Sequence, residues 1–191
     1  MAVVAITGDI GAGKSTAAKL LAEKFACPVL NADEIAADLW RSDERVKFSA
    51  VSRWGNEILD TSGNIIKSEI SRRIFFDRND YEFCNLLLHP IIMRELGARS
   101  EEAGGKNLVL EIPLIFEAGR PEFVDEVVYV AADFEVRARR CHEQRGWDAD
   151  ELRRRESFLL PRDEKISQSD FIITNNGTLS ELQQKIGELF T

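Results

Sequence analysis

Short apolar runs alternate along this chain with stretches in which apolar residues recur every three or four positions. The runs at residues 2–6, 28–30, 107–112, 126–130 and 171–174 are rich in Val, Ile and Leu, as strands covered on both faces tend to be. After the first run, Ala17, Leu20, Leu21 and Phe25 share one helical face, with Lys19 and Lys24 on the other side. A second helix is expected from about Asp33 to about Trp40, and a last one over 178–190 through Leu179, Leu182, Ile186 and Leu189. Strands separated by helices predict the α/β class, here a five-stranded parallel sheet covered by helices.

Between the second and third strands, from about Arg45 to about Ala103, helical spacing runs almost throughout and includes Val51, Trp54, Ile58, Ile70 and Ile74. Gly104 and Gly105 close that stretch with a turn. It reads as a helical insertion, a natural place for a lobe that binds an acceptor. No repeat or linker divides the chain, so one domain is expected. Its core would be 1–40, 104–132 and 160–191, with the insertion at about 41–103 and a lid at about 133–159.

Composition narrows the possibilities. Of 191 residues, 44% are hydrophobic and 30% charged, which is ordinary for a globular chain. Lys and Arg total 25 against 33 Asp and Glu, a net charge of -8 that would repel a nucleic-acid backbone. A small anion is still admissible, because a local basic pocket can override the global sign. Cys27, Cys84 and Cys141 form no C-x-x-C pair and fit a reducing compartment. The first residues lack a basic leader, and no apolar run approaches the roughly 18 residues of a membrane span, so no membrane partner and a cytoplasmic setting are expected.

One stretch carries explicit chemistry. Gly8-Asp9-Ile10-Gly11-Ala12-Gly13-Lys14-Ser15 satisfies G-x-x-x-x-G-K-[ST], directly after a strand and opening a helix. Its glycines let backbone N–H groups turn inward around phosphate oxygens. Lys14 can reach β- and γ-phosphates, and the Ser15 hydroxyl can hold Mg²⁺. A dinucleotide fingerprint fails, because Thr16 stands where a third glycine belongs. Asp9 places an acid beside an anion site; variable positions of such a loop can point outward, and Asp9 is read as doing so.

A phosphate loop alone does not separate a kinase from a GTPase or a mechanical ATPase. Asp33 follows the second strand, where it can take the proton of an attacking hydroxyl, bind Mg²⁺ through water, or cap a helix. Glu111 stands near the end of the third strand, where it can support the metal or face solvent as an edge charge. Seven arginines between positions 137 and 155 fit a lid that closes guanidinium groups over the γ-phosphate and excludes water. The same segment also reads as a solvated helix with Glu–Arg pairs through Glu135, Glu143, Glu151 and Glu156. His89 reads as a core or helix-end residue and His142 as a surface one.

The ordered set of motifs resembles the dephospho-coenzyme A kinases over nearly the full chain. It comprises the loop 7–16, Asn31-Ala32-Asp33, the Gly63 turn leading to Ile74-Phe75 and Leu88-His89-Pro90-Ile91. It continues with Pro113-Leu114-Ile115-Phe116-Glu117, Arg145-Gly146 and the segment 170–177. The resemblance implies a P-loop NTPase fold of three α/β/α layers, with an acceptor-binding insertion and an arginine-rich lid. The implied reaction is ATP- and Mg²⁺-dependent phosphorylation of the ribose 3′-hydroxyl of dephospho-CoA. It implies Asp33 as base, with Lys14 and Arg140 catalytic. Gly8, Gly11, Ala12, Gly13, Ser15, Thr16, Arg145, Arg155, Asn175 and Gly177 would bind the nucleotide. His89, Pro113, Leu114, Phe116 and Glu117 would face the acceptor. Asn31 stands where the family pattern has a first aspartate, Asp9 replaces a glycine, Lys67 an arginine and Leu159 a glutamine. A nucleoside monophosphate or other metabolite kinase is the nearest alternative, and a nucleotide-binding regulatory protein without transfer activity is the alternative of another class.

Overall fold

The computed structural model describes residues 2–190. It divides into two compact units, one holding the chain up to Ala32 and from Leu96 onward, the other Asp33–Glu95.

The first unit is built on a sheet. Its strands are β1 (Val3–Gly8), β2 (Val29–Asn31), β3 (Leu108–Glu111), β4 (Glu126–Ala131) and β5 (Phe171–Thr174). They lie in the order β2-β3-β1-β4-β5, and every pairing is parallel. Parallel neighbours need helical crossovers, which cover both faces and explain why the strands are uninterrupted apolar runs. Helix α1 (Lys14–Phe25) and the C-terminal helix, Leu179–Glu188, pack on one face. There Ala17, Ala18, Leu21, Leu182 and Ile186 join Val4, Ile6, Val109, Val128, Val130 and Ile173 in one core. The alternate strand residues Ala5, Leu108, Leu110, Val127 and Tyr129 point to the other face and are equally buried. The observed strands fall on the expected runs, with ends that differ by at most two residues.

The second unit is helical. It holds α2 (Ala32–Ser42) from Asp33 on, α3 (Glu44–Trp54), a short 3₁₀ turn at Asn56–Ile58, α4 (Lys67–Ile74) and the first part of α5 (Arg78–Glu102). Its core gathers Ala50, Trp54, Ile58, Ile70 and Cys84, with Phe83 edge-on to Trp54 at 5.3 Å between ring centres. Asp43 caps α3 by accepting from the Arg45 and Val46 amides. Burial and the nearby Asp80 push the Cys84 thiol up to about 12, so it stays protonated and serves as a small apolar residue. Helix α5 runs through Pro90, whose missing N–H leaves the Leu86 carbonyl without its helical donor.

Because all five strands run the same way, their carboxyl ends share one edge. Glu111 at the end of β3 is in register with Ile6 of β1 on one side and Asn31 of β2 on the other. Gly8, at the end of β1, is in register with Val130 of β4. In open parallel sheets this edge is where ligands bind.

Candidate active site

The loop after β1 takes its shape from steric necessity. A Cβ on Gly8 would lie 2.1 Å from the Val130 carbonyl oxygen, so no side chain fits where β1 leaves the sheet. Gly13, at φ +93°, turns the chain into α1 in a conformation that favours glycine. A Cβ there would also meet Asn175 Nδ2 at 2.6 Å. Helix α1 starts at Lys14 with no side-chain cap and no acid in its first turn. Its leading amides lack intrahelical acceptors and carry the positive end of the helix dipole, which suits them to an anion.

The polar side chains of the sheet edge are held from several directions. Lys14 Nζ donates to the carbonyl oxygens of Gly8 (3.3 Å) and Asp9 (3.0 Å), and so curls over the loop. Ser15 Oγ donates to Glu111 Oε1 at 2.7 Å, and Asn31 Nδ2 donates to Glu111 Oε2 at 2.8 Å. Glu111 is only 4% exposed, so it is a buried acid at the loop rather than an edge charge facing water. Asn31, which stands where the family pattern has an aspartate, thus bonds to the carboxylate of Glu111. Thr7 Oγ1 donates to the Pro113 carbonyl at 3.0 Å, which ties β1 to the segment after β3. That segment forms a short helix, α6 (Ile115–Ala118), which begins just after Leu114 and buries Ile115 and Phe116. Glu117 Oε1 accepts from the Leu160 amide at 3.1 Å.

Asp9 corrects the sequence reading. It does not point outward: it is 4% exposed and hydrogen-bonded on several sides. Tyr129 Oη donates to its Oδ1 at 2.6 Å, while the Ala132 amide (3.3 Å) and Arg162 Nε (3.2 Å) donate to Oδ2. Arg137 Nε stands 3.9 Å from the same oxygen. Burial, reinforced by the hydrogen bond to Asp9, raises the Tyr129 hydroxyl well above its ordinary range and keeps it a donor.

The arginine-rich segment forms two helices, α7 (Phe134–Arg145) and α8 (Ala149–Glu156), and a third, α9 (Arg162–Ser167), follows it. On α7, Arg137 donates to the carbonyls of Ala132 (2.9 Å) and Ile10 (3.3 Å) and pairs with Glu156. Arg140 Nη1 donates to the carbonyls of Asn175 (3.0 Å) and Ala12 (3.4 Å), and Asn175 Nδ2 donates to Ala12 at 2.7 Å. Partial burial and the neighbouring Arg139 lower the Arg140 pKa, though a guanidinium keeps its charge at neutral pH. Arg145 and Arg155 instead lie over the Trp147 ring at 4.8 and 3.9 Å from its centre, and Arg155 pairs with Glu151 at 2.6 Å. Gly177 leaves room for Glu181, whose carboxylate closes the capping box of helix α10 (Leu179–Glu188) with Thr178.

Ser15, Glu111, Lys14, Arg140 and Asn175 thus gather at the phosphate loop. Asp33 and His89 belong to the second unit. Asp33 is exposed in the first turn of α2, which begins one residue earlier at Ala32, so it sits inside the helix rather than capping it. His89 is half-buried on α5, and burial lowers its pKa. Sequence reasoning missed Thr7, Tyr129, Arg162 and the inward role of Asp9; each lies outside or at a variable position of the loop motif.

A parallel sheet whose first strand empties through a glycine loop into a helix, with a buried acid from the adjacent strand β3 on that helix's first hydroxyl, defines an α/β phosphate-loop protein. A family model for dephospho-CoA kinase matches residues 2–181, and the chain belongs to the dephospho-CoA kinase family. The dephospho-CoA kinase of Geobacillus kaustophilus is 33% identical over 186 residues, which are 96% of this chain and 92% of that one. Among solved structures, TT1252 from Thermus thermophilus is 29% identical with a TM-score of 0.76, covering 100% of this chain and 98% of that one. The dephospho-CoA kinase from Campylobacter jejuni shares the fold at a TM-score of 0.67 and 20% identity, over 98% and 94% of the two chains.

Proposed function

We infer that this chain transfers the γ-phosphoryl group of ATP to the ribose 3′-hydroxyl of dephospho-CoA, giving CoA and ADP. One observation carries this reading: in a chain of that family, the first helical hydroxyl of the phosphate loop, Ser15, is tied to the buried Glu111. The loop amides and the α1 dipole receive the triphosphate, and Lys14 leaves the Gly8 and Asp9 carbonyls for the β- and γ-phosphates. Ser15 and Glu111 offer oxygen donors only, the kind Mg²⁺ takes, and would hold it there. Bound Mg²⁺ supplies neutralising charge across the phosphates. The 3′-oxygen forms the new bond to the γ-phosphorus, the bond from that phosphorus to the β–γ bridging oxygen breaks, and ADP departs. The hydroxyl proton passes to Asp33, the assigned base. Arg140 steadies the loop and meets developing charge, with Arg145, Arg155, Asn175 and Gly177 assigned to the nucleotide. His89, Pro113, Leu114, Phe116 and Glu117 are assigned to the acceptor. Free Cys27, Cys84 and Cys141 suit a reducing, cytoplasmic setting.

The test is ADP production from ATP and Mg²⁺ with dephospho-CoA, AMP, CMP or no acceptor. Stimulation by dephospho-CoA alone is expected. Stimulation only by a nucleoside monophosphate would replace the acceptor, and ATP binding without stimulation by any acceptor would turn the reading to a regulatory protein.

A further inference from the structure

A carboxylate inside a phosphate loop is an electrostatic problem, because it adds negative charge to a loop whose amides attract a triphosphate. Asp9 is that carboxylate, and its burial denies it the screening of water. The neighbouring charges decide what it does. Arg162 Nε lies 3.2 Å from Asp9 Oδ2, and Arg137 Nε lies 3.9 Å from the same atom. Arg137 is itself paired with Glu156 and bonded to the Ala132 and Ile10 carbonyls. Two acids and two guanidiniums therefore cancel, and Arg162 is the cation in this group that no other acid within bridging distance shares among the described residues. Burial works against its charge, yet the Asp9 carboxylate and Tyr129 leave the Arg162 pKa raised.

The same residue also governs geometry. Through its side chain Asp9 is fastened to Tyr129 and Ala132 at the end of β4, and through its carbonyl it holds Lys14 Nζ and the Ala12 amide. Fixing the carboxylate therefore fixes the peptide on which the loop's cation rests. We propose that Asp9 and Arg162 form a charge-compensated buckle for the phosphate loop, with Asp9 a positioning residue and Arg162 the counter-charge that lets an acid stand beside a triphosphate.

The inference rests on the loop binding ATP but not on the identity of the acceptor, so it is tested by calorimetric titration with Mg²⁺-ATP and no acceptor. Arg162→Gln keeps an amide donor and removes the charge, leaving the group around buried Asp9 with a net negative charge. Its ATP Kd is expected to rise at least tenfold, equivalent to about 1.4 kcal/mol. Adding Asp9→Asn removes the stranded charge, and the double variant is expected to regain most of that loss. Neutralising a stranded buried charge would restore stability as well, so thermal unfolding is measured for each variant, and a raised Kd in an Arg162→Gln protein still folded at the titration temperature separates the loop role from a role confined to stability. Should Arg162→Gln fail to fold, recovery of folding and ATP binding in the double variant supports the proposal. An unchanged Kd in Arg162→Gln, or a double variant as weak as the single one, overturns it while leaving the kinase reading in place. No ATP binding by the unaltered protein overturns both.

Discussion

Arginine meets two different fates within a short span of this chain. On α7, Arg137 and Arg140 lie on the stripe of the helix that also brings Cys141 against the loop, 2.8 Å from where a Cβ on Gly11 would stand. Their guanidiniums donate to carbonyls of the phosphate loop and of β5's end. On α8, Arg153 pairs with Asp150 at 3.0 Å largely in water, and Arg154 pairs with Glu151 half-exposed, both within a single helical turn. The density of arginine is similar in both helices. What differs is whether the side chain faces a packed surface or solvent, which governs how much each charge can contribute. An arginine-rich segment is thus not one functional unit. Part of it supports the loop, and part is a solvated helix of the kind that alternating Glu and Arg create.

Three cations grade this contrast. Lys14 belongs to the loop itself, and Lys14→Ala should lower kcat by roughly 10²–10³, the range for removing one preorganised donor from developing charge. Retention of more than a tenth of the rate would show that the loop amides and α7 suffice without it. Arg140 acts from the inner stripe of α7, so Arg140→Ala should raise the KM for ATP roughly tenfold, as loss of a charged hydrogen bond of about 1.5–3 kcal/mol allows. An unaltered KM would place Arg140 with the surface arginines. Arg153 is paired in water, and Arg153→Ala should leave steady-state kinetics within about twofold and stability within ~1 kcal/mol, as for exposed ion pairs generally. A large loss there would mean that the solvent-facing side of α8 also serves the nucleotide during turnover, and the contrast between packed and solvent-facing arginines would dissolve.

The strands were legible because burial on both faces leaves little room for polar residues. The run at 171–174 is β5, and that at 126–130 is β4 less its final residue, Ala131. Their lateral order was not legible. Each strand is a Val/Ile/Leu run of similar length, and nothing local tells β3 to lie between β1 and β2. The helical character of the insertion was readable for the same reason as the strands, through its apolar spacing. The small core around Trp54, Ile58 and Cys84 required residues well separated in sequence to meet.

The site divides along the same line. Glycines at fixed spacing, a following lysine and a serine opening a helix are contiguous, so the chemistry of the loop was written in eight neighbouring residues and in the backbone angles they permit. The fate of Asp9 was not, because its partners Tyr129 and Arg162 lie 120 and 153 residues away. Glu111 was recognisable as an acid near a strand end, but its bonds to Ser15 and Asn31 depend on parallel neighbours meeting in register. Local sequence determines what the backbone can do; only packing decides which distant charges share one low-dielectric space, and there an ion's partners outweigh its identity.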